Sequence, residues 1–235
     1  MSTLSYFRVA TVTAPTVTDL TTADTVIADW GIGEENISFI SRAISRCSKA
    51  AEDYCNRSFG IGKYQVDARL ERGYRDGHLV MGAISPLMIP LWPIASIVSV
   101  VETDEDGTAT TLVEGTDYEA DYSVGKFYRL DSYQRQRDWW PRKKVTIICW
   151  AGYKLPGDTA SYTGAETLPA HLEDAIGRMV ATRYFERNRN PFVKSEMVTG
   201  VGSIDYRDAI MGADSGNLSP DVLDILNNFR QPVVG

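Results

Sequence analysis

The apolar residues of this chain change period twice, and that change limits the fold more than any single motif does. From Glu34 to about Asn56 they stand at Ile37, Ile40, Ile44, Cys47, Ala51, Tyr54 and Cys55, mostly three or four apart. That spacing puts them on one face of an α-helix. Between Tyr64 and Trp150 the texture is different. Tyr64, Val66, Ala68 and Leu70 alternate, and Val145–Trp150 is a short run rich in β-formers. Both patterns are those of strands. From Pro169 to about Arg189 the helical spacing returns, with Leu172, Ala175, Ile176, Met179, Val180 and Tyr184. The expected class is α+β. A small helical bundle (residues 18–58 and 168–189, joined by a short C-terminal helix) carries a β-rich insertion over residues 60–153, and residues 190–235 form a separate C-terminal segment.

Local signals set the element ends. Residues 1–17, with Thr, Val and Pro, read as extended. A first helix is expected from about Thr21 to Trp30. Thr21 is its cap, Asp24 stands three residues on, and Gly31 and Gly33 stop it. Glu34 and Glu35 open the second helix at the positive end of its dipole. Arg42, Arg46, Lys49 and Glu52 fall on its other faces, and Ser58–Gly62 ends it. Short strands follow at His78–Met81, Ile97–Glu102, Thr110–Val113, Tyr118–Asp121 and Lys126–Leu130. Asp104–Gly107 is the turn of a hairpin. Pro86, Pro90 and Pro93 mark an edge or a linker. Residues 155–167 form a loop, and a strand is expected at Gly202–Tyr206. Ser219 caps a last helix, Pro220 to Phe229, whose apolar side is Val222, Leu223, Leu226 and Phe229. The tail Arg230–Gly235 is extended.

Charge and chemistry narrow the function classes. The net charge is −7, the opposite of what a protein gripping DNA phosphates carries. Three cysteines, Cys47, Cys55 and Cys149, form no Cys-x-x-Cys pair and read as buried reduced thiols. Cys47 and Cys55 lie about 12 Å apart along one helix and cannot bond. No run approaches the ~20 apolar residues of a membrane span. Met1–Pro15 lacks the basic start and apolar core of a signal peptide, so the chain is expected to stay in the cytoplasm until it is assembled. The two histidines, His78 and His171, have no zinc-binding spacing. No nucleophile elbow or phosphate loop is present. Gly31-Ile32-Gly33 and Gly60-Ile61-Gly62-Lys63 read as helix stops. The acidic clusters Glu102–Asp106 and Glu114–Asp121 read as solvated turns. No cofactor, no metal and no catalytic step are expected. Alanine at Asp104, Asp106 or Asp117 is expected to leave folding intact.

One stretch runs against the overall charge: Arg135, Arg137, Arg142, Lys143 and Lys144 around Trp139 and Trp140. Basic residues mixed with aromatics can hold a nucleic-acid strand. They can anchor a protein interface, where Trp and Arg are enriched. The tryptophans can also simply fold back onto the sheet. The interface reading assigns Arg135, Arg137, Trp139, Trp140, Arg142 and Lys143 to a contact with another subunit or with the tail.

Several segments, in order, carry a likeness to a known family. They are the helix exit Ala50-Ala51-Glu52-Asp53-Tyr54-Cys55-Asn56-Arg57-Ser58-Phe59; Ser85-Pro86-Leu87 through Pro93-Ile94-Ala95-Ser96-Ile97; Gly115-Thr116-Asp117-Tyr118; Val145–Trp150 leading into Ala151-Gly152-Tyr153; Leu168-Pro169-Ala170-His171-Leu172-Glu173-Asp174-Ala175-Ile176; and a C-terminal Leu-x-x-Phe-Arg. Together, over residues 20–230, they resemble the head–tail connector (adaptor) family of long-tailed bacteriophages. The Pro-rich stretch 82–95 and the segment 131–144 are longer than in a compact member. The resemblance implies a single adaptor domain over 1–235. It implies a non-enzymatic virion protein of the neck, at the portal vertex. It also implies a ring of itself, usually twelve copies, that joins the portal protein to a stopper or tail-terminator protein. Genomic DNA would pass through the channel without sequence-specific binding, and no membrane is involved. Docking on the portal would fall to the C-terminal segment: Leu218, Val222, Leu223, Leu226, Phe229, Arg230, Pro232 and Val233. The alternatives are another neck or tail part (stopper or tail terminator), or a hydrolase whose acidic clusters converge in one pocket.

Overall fold

The computed structural model of the chain describes residues 5–70, 73–75, 78–80, 86–140, 143–187, 195–198, 202–205 and 219–231. Strand β1 is Ser5–Thr13, followed by helix α1, Ala23–Trp30. Thr22, not Thr21, caps α1: its side chain accepts the Thr25 N–H at 3.2 Å. Thr21 is buried and its hydroxyl donates to Glu173 Oε1 at 3.1 Å instead. Gly31 ends the helix at φ 60°, a conformation that costs a glycine little.

A 3₁₀ turn, Glu34–Asn36, leads into α2, Ile37–Cys55. Ile40, Ala43, Ile44, Cys47, Ala51 and Cys55 are its buried face. Two residues depart from the expected stripe. Ile37, in the first turn, is 46% exposed. Glu52 is buried, because its carboxylate accepts the Ser58 hydroxyl at 2.9 Å and the Phe59 N–H at 3.1 Å. It thereby satisfies a buried backbone donor of the segment that follows the helix. Asn56, at φ 52°, turns the chain out of the helix.

The strands then follow in order: β2 Gly62–Leu70, β3 Gly73–Arg75, β4 His78–Val80, β5 Leu87–Met88, β6 Ile94–Thr103, β7 Ala109–Leu112, β8 Tyr118–Asp121, β9 Lys126–Leu130, β10 Gln136–Arg137 and β11 Lys144–Ala151. Met81 lies outside the described residues. The main sheet is antiparallel, in the order β1-β2-β11-β6-β7. Asp104–Gly107 makes the β6–β7 turn, with the Gly107 N–H on Asp104 O at 3.0 Å. A second sheet runs β10-β9-β5, with β8 also paired to β9. The proline stretch contributes β5, whose Leu87 pairs Phe127. One apolar cluster draws on both sheets: Val66, Ala68, Val100, Val145, Ile147 and Cys149 pack with Leu87, Ile94, Phe127 and Trp139. Gly125, at φ 67°, allows the backbone crossing between β8 and β9, since a Cβ there would meet Leu91 O at 2.5 Å.

Helix α3 is Ala170–Phe185, with Leu172, Ala175, Ile176 and Val180 buried. Met179 and Tyr184 are half-buried. The hairpin β12–β13 pairs Ser195–Val198 with Gly202–Asp205, and Tyr206 lies outside the described residues. Helix α4 is Pro220–Asn227, with Pro220 in its first turn.

The fold is therefore mixed α and β, with 31% helix and 32% strand. It is not a helical bundle with a β insertion. The Thr/Val-rich start of the chain is the reason. It forms the edge strand β1, paired with β2 from Ser5↔Leu70 to Thr13↔Lys63. The strands thus begin before the first helix. The chain forms two compact units. Unit 1 holds 1–17, 60–154 and 158–167, and unit 2 holds 18–59, 155–157 and 168–235.

All three cysteines are free and fully buried. Burial raises all three thiols, Cys55 to about 11 and Cys149 to about 12. Thiolate is the reactive form. Native protein at pH 8 should therefore give no rapid reaction with a chromogenic disulfide reagent, and denatured protein should give three equivalents. A fast-reacting thiol in the native state would contradict the packing.

Candidate functional site

The basic–aromatic stretch is built on a tight turn. Asp131 Oδ1 accepts the N–H groups of Tyr133 at 2.8 Å and Arg135 at 2.9 Å, and Asp131 Oδ2 pairs with Arg135 Nε at 3.2 Å. The Arg135 guanidinium sits 5.0 Å from the Tyr133 ring centroid. The chain then pairs with β9 through β10 and turns Trp139 inward. Trp139 is fully buried, and its indole N–H donates to Phe127 O at 3.0 Å. Trp140 stays 54% exposed and Tyr133 76%. The two tryptophans read together in the sequence thus have separate roles: one is core, one is surface. Arg137 is half-buried, and Arg142 lies outside the described residues.

The remaining basic residues are neutralised within unit 1. Lys143 Nζ lies 2.8 Å from Asp104 Oδ1 and 3.2 Å from Glu102 Oε2. Lys144 Nζ is 3.1 Å from Asp67 Oδ1. The centre of this network is a buried pair, Arg129 on β9 and Glu102 on β6, 7% and 5% exposed. Their charged atoms are 3.8 Å apart. Arg129 Nη1 also donates to the Asp117 and Leu130 carbonyls and lies 3.6 Å from Asp117 Oδ1. Glu102, Asp104 and Asp117 converge, but around two cations, Arg129 and Lys143. Their carboxylates hold β6, β9 and the 143–144 strand entry together. Asp117 also accepts the Val113 N–H at 2.9 Å. Asp104 and Asp117 are therefore members of charge pairs, which the reading of these clusters as solvated turns did not foresee. Asp106 caps its own turn, accepting the Thr108 N–H at 2.9 Å.

Sequence reasoning missed the Arg129–Glu102 pair. The signal was the strand phase. Glu102 stands two residues after buried Val100, and Arg129 two after buried Phe127. Period-two alternation puts both charges on the core face, where each needs a partner.

Burial pulls the Lys143 ammonium down, but Asp104 and Glu102 outweigh it and raise it above the ordinary value of 10.5. A raised folded-state value means stability that is complete below 10.5 and lost as pH rises through the folded value. Between pH 9 and pH 12 the unfolding midpoint of the wild type should fall more than that of Lys143→Met. Parallel pH profiles would contradict the pairing.

In unit 2, Val222, Leu226 and Phe229 are buried against α2 and α3. Phe229 meets the Phe59 ring at 6.1 Å and the His171 ring at 5.4 Å between centroids. The Tyr54 hydroxyl donates to Asn227 Oδ1 at 2.7 Å, and the Gln231 N–H to Cys55 O at 2.9 Å. The apolar side of α4 is thus committed to its own unit. Leu223 is half-buried and Arg230 is exposed, while Leu218, Pro232 and Val233 lie outside the described residues.

Among the described residues, no group of three or more His, Cys, Asp or Glu could hold a metal ion. No described helix is long and apolar enough to cross a membrane.

No protein-family model matches the sequence, and no curated protein matches it. Solved structures do. A chain in the structure described as the virion of a native gene transfer agent (GTA) particle aligns with a TM-score of 0.50 and 15% identity, covering 97% of each chain. The present chain shares the fold of that GTA virion chain. Two further chains cover 97% of each partner at 16% identity. One is from the neck of an empty GTA particle computed with C6 symmetry, with a TM-score of 0.48. The other is from the neck of a native GTA particle computed with C12 symmetry, with a TM-score of 0.44. The 97% coverage of the GTA virion chain takes in elements of both units, so helices and sheets are both part of the likeness. At 15% identity the likeness is one of fold.

Proposed function

We propose that this chain is a structural subunit of the neck of a tailed, phage-like particle: an adaptor that forms a ring between the portal and the stopper or tail and lines the DNA channel. The observation that carries this reading is the nearly end-to-end fold likeness to a chain of a GTA virion. The ordered family motifs from Ala50–Phe59 to the C-terminal Leu-x-x-Phe-Arg point the same way. Such a subunit needs no catalytic step. Its work is to hold a geometry, which suits carboxylates spent on Arg129 and Lys143. The acidic balance suits a conduit in which DNA must slide rather than stick.

Contacts with neighbours divide between the two units. In unit 1 Tyr133, Arg135 and Trp140, which are exposed, would meet another subunit or the tail. Trp139 cannot join them, because it is core. In unit 2 the portal-docking role falls to Leu223 and Arg230 among the described residues, since Val222, Leu226 and Phe229 would have to leave their own core. Labelling purified particles with gold-tagged antibody to the chain tests the reading. Label at the head–tail junction is expected. Label over the capsid shell or at the tail tip would overturn it.

A further inference from the structure

Helix α2 keeps one face free of acids in an acidic protein. From Ile37 to Ala51 it carries Arg42, Arg46 and Lys49 and no Asp or Glu, while the chain as a whole has a net charge of −7. The three basic residues recur four and three apart, on the side opposite Ile40, Ile44, Cys47 and Ala51. Arg42 and Arg46 are exposed. Arg42 turns its Nε–H to Ser38 O at 3.1 Å, and neither arginine forms an ion pair among the described residues. Lys49 is answered by Asp53 at 2.9 Å. Ser45, on the same helix, donates its hydroxyl to Asp19 Oδ2 at 3.2 Å.

Unit 1 carries a patch of the opposite sign. Glu114, Glu119 and Asp121 line an open groove of about 430 Å³ with Tyr128 and Gln136. All three carboxylates are exposed. Glu114 accepts the Tyr122 hydroxyl at 2.8 Å, and Asp121 accepts the Ser123 hydroxyl at 2.7 Å. Lys126 stands opposite Asp121 in the β8–β9 register. Three acids thus face one lysine, and none forms an ion pair among the described residues. The groove therefore differs from the Glu102–Asp104–Asp117 cluster, whose charges Arg129 and Lys143 already answer. The basic loop 135–144, the obvious partner for an acidic face, is largely spent inside its own unit. Among the described residues, Arg42 and Arg46 of the α2 stripe and the three acids of this groove form no ion pair.

We propose that Arg42 and Arg46 of one copy seat against Glu114, Glu119 and Asp121 of a second copy. This contact joins two different patches, so it repeats head to tail and can close a ring. It rests on the ring reading above. Complementary charge of this kind sets register and partner choice, and salt weakens it.

The test is a charge swap followed by sedimentation velocity. One variant is Arg42→Glu with Arg46→Glu, the other Glu119→Lys with Asp121→Lys. All four positions are exposed, and circular dichroism verifies that both variants fold. Wild-type chain should self-associate with rising concentration in low salt, about tenfold more weakly near 0.5 M salt. Each variant alone should associate about 100-fold more weakly. An equal mixture should recover most of the loss, because both junctions are again complementary. Variants that assemble like the wild type, or a mixture that recovers nothing, would overturn the proposal. So would assembly that survives Arg42→Glu/Arg46→Glu while binding to a duplex DNA probe is lost, which would assign the stripe to nucleic acid. A wild-type chain that associates neither alone nor on a portal ring would instead remove the ring reading on which this rests.

Discussion

Trp139→Ala is expected to remove about 3–5 kcal/mol from the stability of unit 1. The side chain is fully buried, among Leu87, Phe127 and Val145 of the cluster shared by the two sheets. Its removal leaves a cavity the size of an indole and takes the donor from Phe127 O, to which the ring N–H is bonded at 3.0 Å. Trp139→Phe should cost less, because it keeps most of the volume. It still leaves that carbonyl without its donor, a loss of about 1–3 kcal/mol. Trp140→Ala, one residue on and 54% exposed, should stay within about 0.5 kcal/mol of wild type. Urea unfolding followed by near-ultraviolet circular dichroism separates these cases. Equal effects at the two tryptophans would contradict the assignment of one to the core and the other to the surface.

Arg129→Ala should be nearly as damaging, at about 3–5 kcal/mol, for an electrostatic reason. The guanidinium is the buried cation between Glu102 and Asp117. Without it Glu102, 5% exposed, keeps only Lys143 at 3.2 Å. A carboxylate left in that position has lost water and half of its compensation. The pair itself stabilises little, because both charges were desolvated to form it. The double variant Arg129→Met/Glu102→Leu should therefore recover most of what Arg129→Ala loses. A double variant as unstable as the sum of the two single ones would mean that the two residues do not interact, and that the loss in Arg129→Ala is not that of an unpaired Glu102.

Much of the fold was legible because period is a local property. The stripe on α2, the alternation Tyr64-Val66-Ala68, the Asp104–Gly107 turn and the Val145–Trp150 run all appear where the spacing puts them. The cap of α1 was displaced by one residue, since Thr21 and Thr22 are equally able to cap and only the tertiary contact with Glu173 selects between them. The role of residues 1–17 was not legible as architecture. An extended segment shows its strand character in its own residues, but its partner β2 begins about 50 residues further on, and pairing at that distance leaves no local trace. For the same reason a β insertion into a helical bundle was expected where two interleaved units exist.

The candidate surfaces were legible in composition and not in engagement. Trp139 and Trp140 are neighbours in the sequence, and only the fold puts one inside and the other outside. The apolar side of α4 looks the same in sequence whether it waits for a portal or packs on Cys55 and Phe59. Phe229 and Gln231 make contacts with Phe59 and Cys55 of their own unit. The basic loop looked like a surface searching for acids, yet Glu102, Asp104 and Asp67 of its own unit answer it. Charge pairs between distant segments are invisible to a linear reading, except through strand phase at positions such as Glu102 and Arg129.

Sedimentation velocity of the full chain, mixed with the portal ring of the same particle, tests the adaptor role most directly. Co-sedimentation at a fixed ratio of copies per portal ring, weakened by Leu223→Asp with Arg230→Glu, is the expected result. Two boundaries that stay separate at every concentration and salt would contradict a place for this chain against the portal.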